Sequence, residues 1–99
     1  MNKKFAVLQR NKKICGCPIC GFQAFEAFDS FGLTTYDICS CCGFQSGYTY
    51  GEDVSEETFL ELRRIWVNEL GAVWRHCTTD LPPTNWNYKE QLRLAKLKV

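Results

Sequence analysis

A small α+β fold is predicted from three features of this 99-residue chain. The first is a pair of Cys-x-x-Cys motifs, at 17–20 and 39–42, separated by 18 residues. The second is a set of short aromatic-rich segments beside these motifs, and the third is an amphipathic pattern that begins near residue 53. Together they predict a zinc ribbon of two or three antiparallel strands, followed by one long amphipathic helix and a shorter C-terminal helix.

The two Cys-x-x-Cys motifs carry the metal prediction. Two residues between cysteines allow a tight turn, here called a knuckle, that points both sulfur atoms the same way. Gly21 and Gly43 follow the two pairs and permit the positive φ that such a turn needs. Four thiolates give Zn²⁺ a closed tetrahedral shell with no position for water, which makes the site structural. The predicted ligands are Cys17, Cys20, Cys39 and Cys42.

Three further cysteines leave alternatives open. Cys41 can replace Cys42 in a pair with Cys39, and Cys15 can replace Cys17, although Cys-x-x-Cys is the better geometry. Cys77 follows His76, the sole histidine of the chain. A lone histidine near the end of a helix more often lies on the surface than binds a metal. Iron in the same four thiolates is the chemical alternative to zinc, because rubredoxins use a similar Cys-Pro-x-Cys-Gly knuckle.

The strands of the predicted ribbon are short. Residues 5–8 form a candidate first strand, and residues 22–28 and 34–38 are candidate partners joined by a turn at 29–32. Residues 44–50 return as a third strand after the second knuckle. So small a sheet depends on the metal for much of its stability.

The C-terminal half predicts helices. Asp53 or Ser55 can cap the first helix, which runs to about Val73 and is bent or ended at Gly71. Its apolar face is predicted to contain Phe59, Leu62, Trp66, Leu70, Val73 and Trp74.

The last helix is predicted to start at Asn85 or Asn87, with Glu90 placed for a capping box. The whole chain is predicted to be one domain, with the ribbon at about 14–50 and the helices at about 53–98.

Composition bounds the class of protein. A hydrophobic fraction of 45% and an aromatic fraction of 14% are typical of a folded protein. The apolar run at 5–8 is too short for a signal-peptide core, and no segment reaches transmembrane length. A cytoplasmic location is therefore expected, where thiols stay reduced and serve as metal ligands.

Charge is divided along the chain. Residues 14–57 contain seven acidic and no basic residues, whereas residues 1–13 contain five basic and no acidic ones. Acids beside aromatic residues favour a basic protein partner over nucleic acid. The candidate partner-binding residues are Asp37, Tyr48, Tyr50, Glu52 and Asp53.

Two other functions are compatible with the sequence. A nucleic-acid-binding protein would use the basic arm at 1–13 and the stripe formed by Lys89, Arg93 and Lys96. A rubredoxin-like electron carrier would hold iron in the four thiolates. No phosphate-binding loop, catalytic carboxylate pair or nucleophile motif occurs, so no enzymatic activity is expected.

The cysteine motifs also resemble those of the bacterial cysteine-rich CPCC family of small zinc-ribbon-like proteins. The resemblance is carried by 17–22, by 36–44 and by the acidic lead into a helix at 52–59. Ile19 stands where the family name implies a third cysteine, and Cys41 is additional. The resemblance implies a ribbon fold without an established activity. By analogy with small bacterial proteins of this kind, it implies an immunity protein or antitoxin that neutralises a basic toxin.

Overall fold

The computed structural model of the protein describes residues 16–75 and 81–99. In this part of the chain, turns and bends lead from the first knuckle to helix α1, Glu56–Arg64. A π-helical segment, Ile65–Glu69, continues α1 directly. Helix α2, Tyr88–Leu94, lies near the C-terminus. The candidate strand at 5–8 lies outside the described residues.

The prediction of antiparallel strands is wrong. Within 16–75 and 81–99, pairing is limited to isolated bridges, with no strand and no ladder. The helices are also short, at nine and seven residues, instead of one long helix and a shorter one. The described fold is therefore not a zinc ribbon of antiparallel strands with a long helix. The bridges are Phe28–Thr34 and Ile38–Gln45, both antiparallel, and Ser46–Tyr50, parallel.

Side chains and one backbone angle explain why the expected strands do not form. Tyr36 has φ of 64°, in the left-handed region, which is incompatible with an extended strand at 34–38. The Ser46 hydroxyl accepts a hydrogen bond from Thr35 N at 3.3 Å and donates one to Ala27 O. Thr35 N also donates to Ala27 O at 3.1 Å, so backbone pairing here is limited to the single Phe28–Thr34 bridge and is shared with the Ser46 hydroxyl.

The predicted turn at 29–32 is present and is stabilised by its first residue. The Asp29 carboxylate accepts hydrogen bonds from Phe31 N at 2.8 Å and from Leu33 N at 3.0 Å. Gly32 takes the positive φ, 83°, that closes the turn. The chain therefore reverses here even though its two arms share only one bridge.

Helix α1 begins where the sequence allowed it to begin. Ser55, not Asp53, is the N-cap, and its hydroxyl accepts a hydrogen bond from Thr58 N at 3.1 Å. Glu56 and Glu57 occupy the first turn, where their negative charges interact favourably with the positive end of the helix dipole and stabilise the helix.

The π-helical segment explains why the predicted apolar face is only partly correct. Leu70 N donates to Ile65 O at 3.0 Å, so this turn contains one residue more than an α-helical turn. The extra residue rotates the following side chains, and Gly71 with φ of 76° ends the helix. Leu70 and Val73 are consequently exposed, contrary to the prediction, whereas Trp74 is buried.

Helix α2 starts at the predicted cap. The Asn87 side chain accepts hydrogen bonds from Lys89 N at 2.8 Å and from Glu90 N at 3.2 Å. The Glu90 carboxylate pairs with Arg93 one turn later instead of completing a capping box. Because α2 is too short to be stable alone, its buried Leu92 must contribute by packing.

The four predicted ligands lie within the hydrophobic core and not at its edge. Cys17, Cys20, Cys39 and Cys42 are each at most 1% exposed and share one cluster with large aromatic residues. Edge-to-face ring contacts connect the cluster to both helical regions. These contacts, between ring centroids, are Phe22–Trp74 at 4.9 Å, Tyr50–Phe59 at 5.3 Å, Trp74–Trp86 at 5.4 Å and Trp66–Tyr88 at 6.1 Å.

A Gly21→Ala substitution is expected to destabilise the protein by about 1–3 kcal/mol. Gly21 has φ of 87°, and a Cβ there would lie 2.9 Å from Ala95 Cβ and 3.2 Å from Gln91 O. The new methyl group would therefore displace the C-terminal end of α2 while straining the knuckle. Chemical denaturation of the metal-loaded protein measures the loss.

Gly51→Ala is the matched control for this substitution. A Cβ at Gly51 meets only the Asp53 carboxylate, at 3.9 Å, and the backbone there is not in the left-handed region. We expect a change within about 0.5 kcal/mol. Equal losses for the two variants would contradict a special role for the Gly21 conformation.

Candidate metal centre

The first knuckle is closed by two backbone hydrogen bonds. Gly21 N donates to Cys17 O at 2.9 Å, and Cys17 N donates to Phe22 O at 2.9 Å. The first of these bonds requires the chain to turn sharply after Cys20, and the positive φ of Gly21 provides that turn. The sequence prediction for this glycine is confirmed.

The second knuckle repeats the first almost atom for atom. Gly43 N donates to Cys39 O at 2.8 Å, and Cys39 N donates to Phe44 O at 3.0 Å. Gly43 has φ of 82°, also as predicted. Two equivalent turns therefore present two cysteine pairs to a common point.

The four cysteine sulfur atoms lie within 4.8 Å of one another. The Sγ atoms of Cys17 and Cys42 are 3.7 Å apart, and those of Cys20 and Cys39 are 3.6 Å apart. A tetrahedral zinc ion with Zn–S bonds of about 2.3 Å requires sulfur–sulfur distances of about 3.8 Å. The donor atoms thus have the type and spacing of a metal site, and this cluster can hold a metal ion.

The four buried thiols would be stabilised as thiolates by a bound cation. Burial raises the pKa of the Cys20 and Cys42 thiols well above the usual range. Hydrogen bonds from the Cys17 and Cys20 thiols lower the pKa of Cys39. Without a metal, the cluster therefore cannot carry four thiolate charges together, because each added anion is buried beside the others.

Metal binding is expected to release at least about two protons per ion near neutral pH. In the folded cluster the raised pKa of Cys20 and Cys42 keeps these two thiols protonated without a metal, and in the unfolded chain the ordinary thiol pKa does the same near neutral pH. Zinc must displace those protons, so its affinity should fall as the pH is lowered from about 8 to about 6. Isothermal titration in buffers of different ionisation enthalpy counts the protons. An affinity that does not change with pH would contradict thiolate ligation.

Arg63 contacts the first knuckle from α1. Its side chain is buried, at 4% exposure, and Nε donates to Ile19 O at 2.6 Å. Its Nη2 donates to Pro18 O at 2.7 Å, and its Nη1 donates to Lys98 O. Burial lowers the pKa of the guanidinium, and the negative charges of Cys17, Glu56 and Cys20 oppose that shift.

Gln91 connects the two knuckles from α2. Its Nε2 donates to Cys20 O at 2.9 Å and to Cys41 Sγ at 3.4 Å. Its Oε1 accepts a hydrogen bond from Trp86 Nε1 at 2.9 Å. The last helix is thereby attached to both halves of the candidate metal centre.

Cys41 is not one of the four clustered sulfur donors, although it is fully buried beside them. Its carbonyl accepts a hydrogen bond from Arg75 N at 3.0 Å. The alternative in which Cys41 replaces Cys42 thus has no support in this geometry. The alternatives that involve Cys15 and Cys77 lie outside the described residues.

The candidate partner-binding residues are not all on the surface. Tyr50 is 5% exposed, and its ring packs against Phe59, so the prediction that Tyr50 is available to a partner is wrong. The reason is that its ring buries apolar area between Phe28, at 6.0 Å, and Phe59, at 5.3 Å between ring centroids. Tyr48, in contrast, is 85% exposed.

The acidic candidates remain exposed. Asp37 and Asp53 face solvent, and so does Glu52, whose carboxylate accepts hydrogen bonds from Thr34 N at 3.0 Å and from Thr34 Oγ1 at 2.9 Å. These bonds lower the pKa of Glu52 and keep it ionised. The basic residues Lys89, Arg93 and Lys96 are exposed as well, and Arg93 pairs with Glu90.

Sequence reasoning missed Arg63 and Gln91. A signal for Arg63 was present, because it lies four residues after Phe59 and three before Trp66, on the buried face of α1. A charged residue at such a position indicates a buried polar role. No comparable signal marks Gln91, since its contact with Cys20 spans 71 positions of sequence.

These features define a small cysteine-rich protein with four clustered thiols that can bind a metal ion. The chain belongs to the family of the uncharacterized protein YoaQ of Bacillus subtilis (strain 168). The two are 32% identical over 85 residues, which cover 72% of this chain and 70% of YoaQ. No protein-family profile matches the chain, and no solved structure matches it. Among the described residues, no helix has the length and apolar character needed to cross a membrane.

Proposed function

We propose that the protein is a non-catalytic zinc-binding protein that acts as a protein-interaction module. Zinc would stabilise the fold, and an exposed acidic aromatic surface would bind a basic partner. The observation that carries the proposal is the closed cluster formed by Cys17, Cys20, Cys39 and Cys42.

Zinc is favoured by the donor set and by its surroundings. Four thiolates at tetrahedral spacing are typical of structural zinc sites. Each cysteine is at most 1% exposed, so four sulfur ligands would fill the shell and leave no path for a substrate. A catalytic zinc ion needs an open position for water, which this arrangement does not offer.

Elemental analysis of the purified protein tests the metal. We expect one zinc ion per chain, and we expect Cys39→Ser to lose it. Cys41→Ser is the matched control, because Cys41 is equally buried and lies outside the four donors. Iron in place of zinc would contradict the zinc assignment and indicate a role in electron transfer. A reduced protein that contains no metal would overturn the proposal.

The proposed interaction surface, called here the acidic aromatic surface, consists of Tyr36, Asp37, Tyr48, Glu52 and Asp53. Tyr36 and Tyr48 are 62% and 85% exposed. Two contacts bring the segment 36–37 against the residues just before Tyr48: the Tyr36 ring packs on Gly47, and Asp37 O accepts a hydrogen bond from Ser46 N at 3.0 Å.

The chemistry of the partner follows from the charge on this surface. No basic residue occurs in residues 14–57, and within 16–75 and 81–99 Asp37, Glu52 and Asp53 form no ion pair, so the surface combines exposed rings with exposed carboxylates. Aromatic residues supply contact area and carboxylates attract Lys and Arg, which suits a basic polypeptide. The proposed partner is therefore a basic protein.

Nuclear magnetic resonance titration with Lys- and Arg-rich peptides, and with acidic peptides as a control, tests the surface. We expect the basic peptides alone to perturb residues 36–37 and 48–53, and Tyr48→Ala and Asp53→Lys to abolish the effect. Glu61→Lys is the matched charge reversal, on the exposed side of α1. Binding that survives both surface variants would refute this surface. Salt-sensitive binding of an oligonucleotide, lost in Lys89→Glu, would favour a nucleic-acid function instead.

A further inference from the structure

Arg63 is a buried cation whose hydrogen bonds all go to uncharged acceptors. At 4% exposure, its guanidinium donates to the carbonyl oxygens of Ile19, Pro18 and Lys98. Burying an arginine is costly unless a negative charge lies nearby. A favourable interaction of the buried guanidinium must therefore offset the cost of its desolvation.

Glu56 and the cysteines provide the negative charge that faces this guanidinium, and a four-thiolate zinc centre would add to it. Zn²⁺ with four thiolates carries a net charge of −2, and here that charge would be buried. The segment that forms both knuckles cannot offset it, because residues 14–62 contain no Lys, Arg or His. Arg63 is the first basic residue after this segment, and it lies directly against the first knuckle.

We infer that Arg63 is a positioning residue of the metal centre, which fixes the first knuckle and compensates part of the charge of the tetrathiolate. The inference rests on the proposed metal site and extends it to a residue that is not a ligand.

The geometry of the contact supports the positioning role. Pro18 and Ile19 are the two residues between the ligands Cys17 and Cys20, and their carbonyl oxygens accept from Nη2 and Nε of one guanidinium. The planar fork of arginine can bind two adjacent acceptors at once, which a lysine ammonium cannot do in the same way. The third bond, to Lys98 O, fixes the C-terminal end of the chain to the same group.

Zinc affinity measured by chelator competition is the first test. We expect Arg63→Gln to weaken zinc binding by about 10–100-fold, as loss of a supporting contact around a metal typically does. Arg63→Lys, which keeps the charge but not the fork, should show an intermediate loss. Arg64→Gln removes a charge from the neighbouring, exposed position of α1 and should change affinity less than about twofold.

The reduction potential of the iron-loaded protein separates charge compensation from a merely structural role. An electrode removes one electron from the Fe²⁺ centre, with charge −2, to give the Fe³⁺ centre, with charge −1. Loss of a nearby positive charge favours the less negative centre, so Arg63→Gln should make the potential more negative. Arg63→Lys and Arg64→Gln should leave the potential close to that of the unaltered protein.

The outcomes distinguish this inference from the proposed function. If the unaltered protein binds zinc but Arg63→Gln binds it equally well, the role of Arg63 fails alone. If affinity falls while the potential stays constant, charge compensation is wrong and only the structural contact remains. Should Arg63→Gln fail to fold, Arg63→Lys still tests the positioning contact through the zinc affinity, and the neutral variant Arg63→Met tests the charge through the potential. An unaltered protein without affinity for zinc overturns both proposals.

Discussion

Removal of the metal with a strong chelator is expected to unfold the described core cooperatively. Structural zinc sites contribute about 10–16 kcal/mol of binding free energy at neutral pH, which equals or exceeds the whole stability of a typical small domain. The four ligands lie in the centre of the core, and the described residues contain no sheet ladder to replace them. Circular dichroism and tryptophan fluorescence should show loss of structure, with recovery when zinc is returned.

A matched titration controls for the chelator itself. The Cys41→Ser variant should still bind zinc and should still need the chelator to unfold, because Cys41 is not among the four clustered donors. A metal-free protein that keeps its near-ultraviolet spectrum and unfolds at an unchanged temperature would show that the core does not depend on the metal.

Trp66→Ala is expected to cost about 3–5 kcal/mol in the zinc-loaded protein. Trp66 is completely buried, its ring lies edge-on to Tyr88, and its Nε1 donates to Val73 O at 3.3 Å. Truncation therefore leaves a cavity and an unsatisfied carbonyl, and it removes a contact between the π-helical segment and α2. Urea denaturation at saturating zinc measures the loss as a lower midpoint.

Two further variants define how specific that loss is. Trp66→Phe keeps most of the ring volume and should be clearly less destabilising than the alanine variant. Tyr48→Ala removes an aromatic ring that is 85% exposed and should change stability by less than about 0.5 kcal/mol. A small effect of Trp66→Ala, similar to that of Tyr48→Ala, would contradict the burial of the indole.

Local features of the structure could be predicted because a few neighbouring residues determine them. The positive φ at Gly21 and Gly43 follows from knuckles that a side chain would obstruct. The caps at Ser55 and Asn87 form bonds to amides two or three residues away. The turn after Asp29 is equally local. At such positions only a few backbone conformations are possible, and the type of residue determines which one forms.

The strand predictions failed because strand pairing depends on partners that the pattern does not specify. The aromatic and β-branched residues at 22–28 and 34–38 fit a sheet, yet Tyr36 takes a left-handed conformation and Ser46 binds the backbone groups of Thr35 and Ala27. One hydroxyl, which lies eleven positions beyond Thr35, thus shares the two groups of a backbone pair, Thr35 N and Ala27 O, that does not extend into a ladder. The predicted apolar face of the first helix was only partly correct for a related reason. A single extra residue in the π-helical turn rotated the side chains that follow it.

By itself, the sequence determined the two knuckles, their four cysteines and the helix starts, because chemistry at short spacing leaves little choice. Only the tertiary structure decided what surrounds those cysteines. The tertiary structure buried Tyr50. It also placed Arg63 against Ile19 and Pro18, which lie 44 and 45 positions earlier, and Gln91 against Cys20, which lies 71 positions earlier. Contacts between residues so far apart depend on the packing of the whole core, and no local pattern records them.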